Sequence, residues 1–267
     1  MTVFGMLRVR NEARWIERVL LAALPVCERI FVMDDHSDDY TCELVRRMDN
    51  KITLINSPFV GINEARDKEL LLSRVMGCVS DFHLEGNPRS PFYALAIDGD
   101  EVLEDGAAEK IHASLAMADV HGIHAFKLPI LYAWDREDQI RVDGVYRTFA
   151  RPSLFRLMNK AFRFQRTPWG AKQPDGSSAN FHCSSIPQEL LHHAQTAPIC
   201  PARVLHMGYI DAELRAKKYA WYNKIDPDNH AEDSYQHVWQ GDPGGPPANA
   251  RLKHAGPLEL VPLSSLK

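Results

Sequence analysis

The chain has 267 residues, of which 45% are hydrophobic and 25% charged, and its formal net charge is −4. The length suits one large α/β domain, and the weak negative charge argues against nucleic acid or an anionic membrane as a partner. No apolar run approaches the roughly 20 residues of a membrane span, the N-terminus is too charged for a signal peptide, and the five cysteines lack CxxC spacing, so we expect a cytoplasmic protein with free thiols.

The first half of the chain alternates apolar runs typical of buried strands with segments whose apolar residues recur at helical spacing. The predicted strands cover residues 3–9, 29–33, 52–56 and 94–97. The predicted helices contain residues 16–24, 44–48, 63–79 and 107–118. Four strand–helix repeats predict a parallel sheet with helices on both faces, and residues 80–91 are predicted to form a loop.

Polar clusters follow three of these strands at their carboxyl ends, where parallel sheets bind ligands. Residues 8–12 (RVRNE) end the first strand, residues 34–39 (DDHSDD) follow the second, and residues 98–101 (DGDE) follow the fourth. The second cluster can accept hydrogen bonds from a ribose or a base edge, although it also suits a cap of the next helix. Three clusters at equivalent positions indicate a ligand site rather than accidental surface turns.

The turn at residues 98–101 carries the most specific chemistry. Gly99 lets the chain turn and bring the carboxylates of Asp98 and Asp100 towards one point. Two hard oxygen donors at the end of a buried strand suit Mg²⁺ or Mn²⁺, above all when a diphosphate supplies the remaining ligands. The alternative is a strand-ending acidic turn without a metal, which is common.

The second half of the chain is less regular. Strands are predicted at residues 125–132, 153–157 and 203–206. Asp211 is predicted to cap a helix. A polar loop is predicted at 134–144, and the long Gly/Pro/Ser-rich segment at 164–187 is typical of a functional loop. The Pro/Gly-rich tail at 241–267 is predicted to lie irregularly on the surface.

Four segments, in this order, resemble motifs of the family-2 glycosyltransferases, which have the GT-A fold. They are RNEARWIERVL, FVMDDHSDDYT, GINEARDKELLL and IDGDEVL. The second is similar to the family's V-D-D-x-S-x-D-x-T pattern, and the fourth to its D-x-D metal motif. The resemblance implies an α/β, GT-A fold, with a Rossmann-like, mostly parallel central sheet flanked by helices and an irregular acceptor-side C-terminal half.

The same resemblance implies a division of labour along the chain. Residues 1–120 are expected to bind the nucleotide sugar, residues 121–240 to form the acceptor-binding and catalytic half of the same domain, and residues 241–267 to form the tail. The residues implied around the nucleotide sugar are Arg8, Arg10, Asn11, Glu12, Asp34, Asp35, Arg66, Asp98 and Gly99. The implied metal ligands are Asp98, Asp100 and His206, with Asp100 as the direct one.

Several of these residues have structural alternatives. Arg8 also suits a solvated charge at a strand end, Asp35 a helix cap, and His206 a hydrogen-bonded core histidine. Lys217 and Lys218 fit either a diphosphate contact or a solvated helix face.

An inverting transferase needs a general base to take the acceptor's proton. The family commonly places an acidic residue directly after a histidine, and the corresponding residues here are His182 and Cys183. Because cysteine stands where an acid is expected, the candidates for the base are His182, Asp143 and Glu189. Trp169, in the same segment as His182, offers a face on which an acceptor can stack, or else packs into the core.

The sequence thus predicts a metal-dependent, inverting glycosyltransferase of the hexosyltransferase type. It would use a nucleotide sugar, with UDP favoured as the nucleotide, and Mg²⁺ or Mn²⁺. The acceptor is left open between a small metabolite, a carrier-bound metabolite and a glycan precursor. A nucleotidyltransferase is one alternative, disfavoured because RNEARW lacks the glycines of a phosphate-binding loop. A non-catalytic relative that binds nucleotide sugars is the other.

Overall fold

The computed structural model describes residues 1–59, 63–84, 91–158, 162–164, 185–225 and 235–266. The strands are β1 (Thr2–Val9), β2 (Arg29–Asp34), β3 (Ile52–Asn56), β4 (Phe92–Ala96), β5 (Glu101–Leu103), β6 (Ala125–Trp134), β7 (Arg136–Arg141), β8 (Ala150–Leu157), β9 (Val204–His206) and β10 (Leu260–Pro262). The α-helices are α1 (Ile16–Ala23), α2 (Thr41–Arg46), α3 (Glu64–Leu84), α4 (Ala107–His121), α5 (Leu191–Thr196) and α6 (Ala212–Ile225).

The chain divides into two compact units. The first contains residues 1–129, 150–166 and 183–204. The second contains residues 130–149, 167–182 and 205–267. The predicted assignment of nucleotide and acceptor binding to successive halves of the chain stays a prediction.

The first unit is built on a sheet with the strand order β6-β8-β4-β1-β2-β3. Strands β4, β1, β2 and β3 run parallel, and β8 lies antiparallel between β4 and β6. β1, β2 and β4 are buried along nearly their whole length, as expected of parallel strands covered on both faces. The predicted α/β class, a mostly parallel central sheet flanked by helices, is confirmed.

Helices of the first unit bury the faces that their spacing predicts. In α1 the buried residues are Ile16, Val19, Leu20 and Ala23. Helix α3 packs Val75 and Val79 into the same apolar cluster as Phe4 and Phe92 of the sheet. The prediction of a loop from residue 80 is wrong, because α3 continues to Leu84 and brings Phe82 to ring distances of 5.9 Å from Phe4 and 6.1 Å from Phe92.

Strand β1 is the centre of this sheet, with β2 on one side and β4 on the other. The register pairs Val9 with Asp34 and Met6 with Ala96. The carboxyl ends of β2, β1 and β4 are therefore neighbours, and the loops that leave them carry three of the predicted polar clusters.

In the second unit, residues 132–134 of β6 pair with β7, and β7 pairs with β10, both antiparallel. The prediction of a loop at 134–144 is wrong, because Asp135, with a φ of 63°, turns the chain so that β7 pairs back on β6. The tail is also less irregular than predicted, because Leu260 of β10 pairs with Arg141 of β7.

No helix in the described part of the chain is both long and apolar enough to cross a membrane. Cys27, Cys42, Cys78 and Cys200 are free thiols, as predicted, and Cys183 lies outside the described residues. Burial raises the pKa of the Cys27 thiol to about 12, so this thiol packs in the core as an unreactive apolar group.

Candidate functional site

The loops that follow β1 and β2 are tied together by hydrogen bonds between backbone and side chain. Asn11 N donates to Ser37 Oγ at 2.9 Å, and Asp38 N donates back to Asn11 Oδ1 at 2.9 Å. Glu12 N donates to Thr41 Oγ1 at 2.8 Å. Asn11 has a φ of 57°, a left-handed conformation that asparagine adopts more readily than most residues. These polar residues therefore fix the shape of the double loop, whatever ligand contacts they also make.

Asp39 is the acidic residue at the centre of this double loop. Its carboxylate accepts hydrogen bonds from Ala13 N at 3.0 Å, from Thr41 N at 2.9 Å and from the Thr41 hydroxyl. Burial by itself would raise the pKa of Asp39, but these hydrogen bonds outweigh it and lower the pKa below its ordinary value. The carboxylate is thus ionised at neutral pH and joins the two loops.

Asp34 and Asp35 are buried carboxylates at the end of β2, with exposures of 5% and 1%. Oδ2 of Asp34 accepts a hydrogen bond from Ser37 N at 3.1 Å, and Oδ2 of Asp35 accepts one from Arg8 Nη2. The Oδ1 atom of each is buried and has no hydrogen-bond partner among the residues that the structure describes. A buried acceptor without a partner costs free energy, so these two oxygens are where a donor from a ligand would be most favourable.

The arginines of the site are held by Asp67, near the start of α3. This side chain is fully buried; its Oδ2 accepts a hydrogen bond from Arg8 Nε at 2.9 Å, and its Oδ1 accepts one from Arg66 Nε at 2.8 Å. The Arg66 guanidinium also lies 4.1 Å from the centre of the Phe59 ring, as in a cation–π contact. Arg10 is the exposed arginine of the group. Arg8 is therefore part of a partly buried charge network and not a solvated strand-end charge.

The turn after β4 packs directly against the end of β1 and the loop that follows it. A Cβ atom built on Gly99 would lie 2.7 Å from Glu12 Cγ and 2.9 Å from Val9 Cγ1, closer than real Cβ atoms approach. Glycine is required here by this close approach. The predicted site residues Glu12 and Gly99 are thus in contact, so the first and fourth strands contribute to one site.

Arg151 of β8 bridges carboxylates of the same turn. Its Nη1 donates to Asp98 Oδ2 at 2.9 Å, and its Nη2 donates to Glu101 Oε2, which also accepts a hydrogen bond from Asp98 N at 3.0 Å. Burial raises the pKa of Glu101 to about 7; Arg151 opposes the rise, whereas Asp98 and Asp100 add to it. The Arg151 guanidinium thus joins two carboxylates of the turn, those of Asp98 and Glu101.

These carboxylates fit a divalent cation by their chemistry. Mg²⁺ takes oxygen ligands and is commonly held by one or two carboxylates together with the phosphates of a substrate. Within the described ranges, no three His, Cys, Asp or Glu side chains are grouped so as to hold a metal ion by themselves. A cation bound to Asp98 and Asp100 would therefore need further ligands, which a diphosphate can supply.

The described residues include two of the three candidates for the general base. Both oxygens of the buried Asp143 accept hydrogen bonds from Arg141, at 2.8 and 2.9 Å. Glu189 Oε2 accepts a hydrogen bond from Arg163 N at 3.0 Å. Both carboxylates thus already accept hydrogen bonds within the protein, and the role of either as base stays a prediction. Trp169, the predicted stacking residue, and His182, the third candidate for the base, lie outside the described residues.

His206, the third predicted metal ligand, lies in an aromatic cluster of the second unit. Its ring centre is 5.0 Å from that of Tyr132 and 4.9 Å from that of Tyr209, and its Nδ1 accepts a hydrogen bond at 3.2 Å from the backbone two residues on. Its metal role stays a prediction. Lys217 is exposed and pairs with the glutamate one turn before it at 2.7 Å, whereas Lys218 Nζ lies 5.0 Å from the Tyr209 ring. These contacts favour a helix-surface role for both lysines.

Three residues of the site were missed by the sequence prediction: Asp67, Glu101 and Arg151. Asp67 directly follows Arg66 in the third motif, and its position beside a predicted ligand-binding arginine could have identified it as a site residue. Glu101 lies in the predicted metal turn itself. No local signal marks Arg151, because it reaches the turn only through the position of β8 beside β4.

No protein-family model matches the chain, and no curated protein matches it. Among solved structures, S. aureus TarS 1–349 is similar at 11% identity and a TM-score of 0.45, over 90% of this chain and 69% of that one. The same fragment in complex with UDP-GlcNAc is similar at 12% identity and a TM-score of 0.43, over 90% and 70% of the two chains.

Glucosyl-3-phosphoglycerate synthase from Mycobacterium tuberculosis, in complex with Mn²⁺, UDP and glucosyl-3-phosphoglycerate, is similar at 20% identity and a TM-score of 0.32. That similarity covers 49% of this chain and 44% of the synthase. In a second structure of S. aureus TarS, the similar part is 43% of the TarS chain. At these identities and TM-scores the similarities do not by themselves assign an activity, so the residues of the site carry the proposal that follows.

Proposed function

We propose that the protein is a glycosyltransferase whose first unit binds a nucleotide sugar, preferably a UDP sugar, at the carboxyl ends of β2, β1 and β4. The observation that carries this proposal is the pair of buried Oδ1 atoms of Asp34 and Asp35, which have no hydrogen-bond partner in the described part of the chain. Both atoms accept hydrogen bonds, and the ribose hydroxyls and the uracil N–H are donors that match them. Two buried carboxylates would repel phosphate, so this part of the site suits the nucleoside.

The diphosphate end of the ligand would then meet the basic residues Arg8, Arg10 and Arg66. Arg8 and Arg66 are held by Asp67 before any ligand binds, so their charge is already oriented. Preorganised charge stabilises a developing negative charge better than side chains that must reorient during the reaction. Departure of the diphosphate creates such a charge, and these arginines are therefore proposed to assist bond cleavage.

Asp98 and Asp100 are the proposed ligands of Mg²⁺ or Mn²⁺, with His206 kept as a further candidate. A divalent cation, when bound, stabilises the charge on the departing diphosphate. The residues around the turn hold it in place: Glu12 packs on Gly99, and Arg151 contacts Asp98. Metal binding would require Asp98 to share or exchange its contact with Arg151.

Transfer with inversion also requires a base, for which His182, Asp143 and Glu189 remain the candidates. The acceptor is proposed to be a small metabolite, a carrier-bound metabolite or a glycan precursor. A nucleotidyltransferase and a non-catalytic binder are the competing functions, and they differ from a glycosyltransferase in the product that they release.

The test is product release combined with one substitution. Incubation with UDP sugars and Mn²⁺ should release UDP slowly by hydrolysis, whereas a nucleotidyltransferase would release pyrophosphate from a nucleoside triphosphate and a binder would release nothing. Asp35→Asn should weaken UDP binding by roughly 1–3 kcal/mol in calorimetry, the usual cost of losing a charge-assisted hydrogen bond. The matched control is Glu64→Gln, which alters an ion pair with Lys68 in the same unit. Unchanged UDP affinity of Asp35→Asn would contradict the proposed function and leave Asp35 with a structural role only.

A further inference from the structure

We propose that Asp67 is a positioning residue of the nucleotide site: acting through Arg8, it orients Asp35 so that one carboxylate oxygen is presented to the ligand. This inference rests on the proposed function, because it specifies how the same site is held in its binding conformation. Asp67 itself is not expected to touch the nucleotide.

The contacts run in series from α3 to the end of β2. Arg66 Nε and Arg8 Nε donate to the two oxygens of Asp67, at 2.8 and 2.9 Å. Arg8 Nη2 then donates to Oδ2 of Asp35. The other oxygen of Asp35, Oδ1, is the buried acceptor that no described residue satisfies. Asp35 is thus held by one oxygen and offers the other.

The geometry of arginine explains why Asp67 can act at a distance. The guanidinium is planar, and its donors point in fixed directions, so a partner on Nε constrains where Nη2 can donate. With Asp67 in place, Arg8 has one orientation that satisfies both acids. Without it, Arg8 would keep only the contact with Asp35 and would be free to turn with that side chain.

Stability alone gives a weak account of this arrangement. Asp67 is fully buried, and taking a carboxylate and its arginine partners out of water offsets much of their attraction. Apolar residues of similar volume often stabilise a core as well as a buried ion pair does. What a buried ion pair adds is a defined orientation, and here that orientation is passed to the residue with the unsatisfied oxygen.

The test is a double-mutant cycle measured by calorimetric titration with UDP and with uridine. Asp67→Asn keeps the side-chain volume but replaces one acceptor oxygen by an NH₂ group, which cannot accept from an arginine. We expect about tenfold weaker binding of both ligands, since the nucleoside part of the site is affected. In an Asp35→Asn background the same substitution should have little further effect on uridine binding, because the residue through which it acts has already lost its charge. UDP can lose further affinity in that background, because Asp67 also holds Arg8 and Arg66 near the proposed diphosphate position. Glu64→Gln, in the first turn of the same helix, should bind as wild type.

Three outcomes would overturn the inference. The first is a folded Asp67→Asn variant that binds UDP and uridine as wild type does. The second is an equal loss of uridine affinity in both backgrounds, because additivity indicates a general structural effect. The third is unchanged ligand binding by Asp35→Asn alone, which contradicts the proposed function as well. If Asp35→Asn weakens binding but Asp67→Asn does not, only the inference is overturned. If Asp67→Asn does not fold, Arg8→Gln takes its place in the same cycle, and additivity with Asp35→Asn overturns the inference.

Discussion

Gly99 is the residue at which the site leaves the least room. Its missing side chain lets the turn at residues 98–101 approach Glu12 Cγ and Val9 Cγ1, both of which a Cβ atom would meet at less than 3.0 Å. Gly99→Ala should therefore lower the free energy of unfolding by about 1–3 kcal/mol, the usual cost of overpacking, and should reduce UDP release as the turn shifts. Urea unfolding measures the first effect.

The matched control for this substitution is Gly77→Ala in α3. No described atom outside its own helical turn lies within 4 Å of a Cβ built there, so alanine fits. It should raise the free energy of unfolding by about 0.5–1 kcal/mol through helix propensity alone. A Gly99→Ala variant as stable as wild type would contradict the close packing of the turn on β1.

The metal role can be tested at Asp100, which is buried, whereas Asp98 is 53% exposed at its side chain. Asp100→Asn preserves shape and removes the charge that attracts a cation. We expect Mg²⁺- or Mn²⁺-dependent UDP release to be lost while the circular dichroism spectrum is retained. EDTA should have the same effect on the wild type, and added Mn²⁺ should reverse it. Turnover that survives EDTA would exclude the metal.

At the scale of elements, β7 contains one Arg–Asp pair and ends at the arginine of a second, and the two pairs differ in burial. Arg136 and Asp138 are 70% and 64% exposed, whereas Arg141 is fully buried and contacts Asp143 while its guanidinium lies 4.5 Å from the Trp134 ring centre. Both arginines lie in β7 and each aspartate follows its arginine by two residues, so the pairs form a matched comparison of a surface pair and a core pair.

Asp143→Ala should lower the free energy of unfolding by about 3–5 kcal/mol, because it leaves Arg141 buried without its charge partner. Asp138→Ala should leave it nearly unchanged, because an exposed ion pair contributes little to stability. Chemical denaturation of both variants measures the difference. Loss of turnover by Asp143→Ala with wild-type stability would instead favour Asp143 as the general base.

At the scale of the whole molecule, ligand binding should be visible as added stability. A ligand that binds only the folded state at a hundred times its Kd adds about 2.7 kcal/mol to the free energy of unfolding. In a thermal-shift screen of UDP, GDP and ADP with Mn²⁺, we expect UDP to raise the Tm most. The Asp35→Asn variant should lose that shift. Equal shifts for all three nucleotides would contradict a preference for uridine.

Local pattern was sufficient to predict β1 to β4, α1, α4 and the polar residues at their ends, because apolar spacing and turn residues act over a few positions of the chain. It also predicted that Asp34, Asp35 and Asp98 belong to one edge of a sheet. It could not predict the contact of Arg8 with Asp67, 59 residues away, or that of Arg151 with Asp98, 53 residues away.

Those contacts depend on the strand order β8-β4-β1-β2 and on the packing of α3 beside β1. The hydrophobic pattern of a strand specifies that it is buried but not which strand lies next to it. β7 and β10 were missed for the same reason. The polar sequence of β7 and the three residues of β10 become strands only because β7 pairs with β6 and β10 pairs with β7. The polar residues at the ends of the strands could therefore be predicted from sequence, whereas the tertiary structure decided which residues pair with their charged side chains.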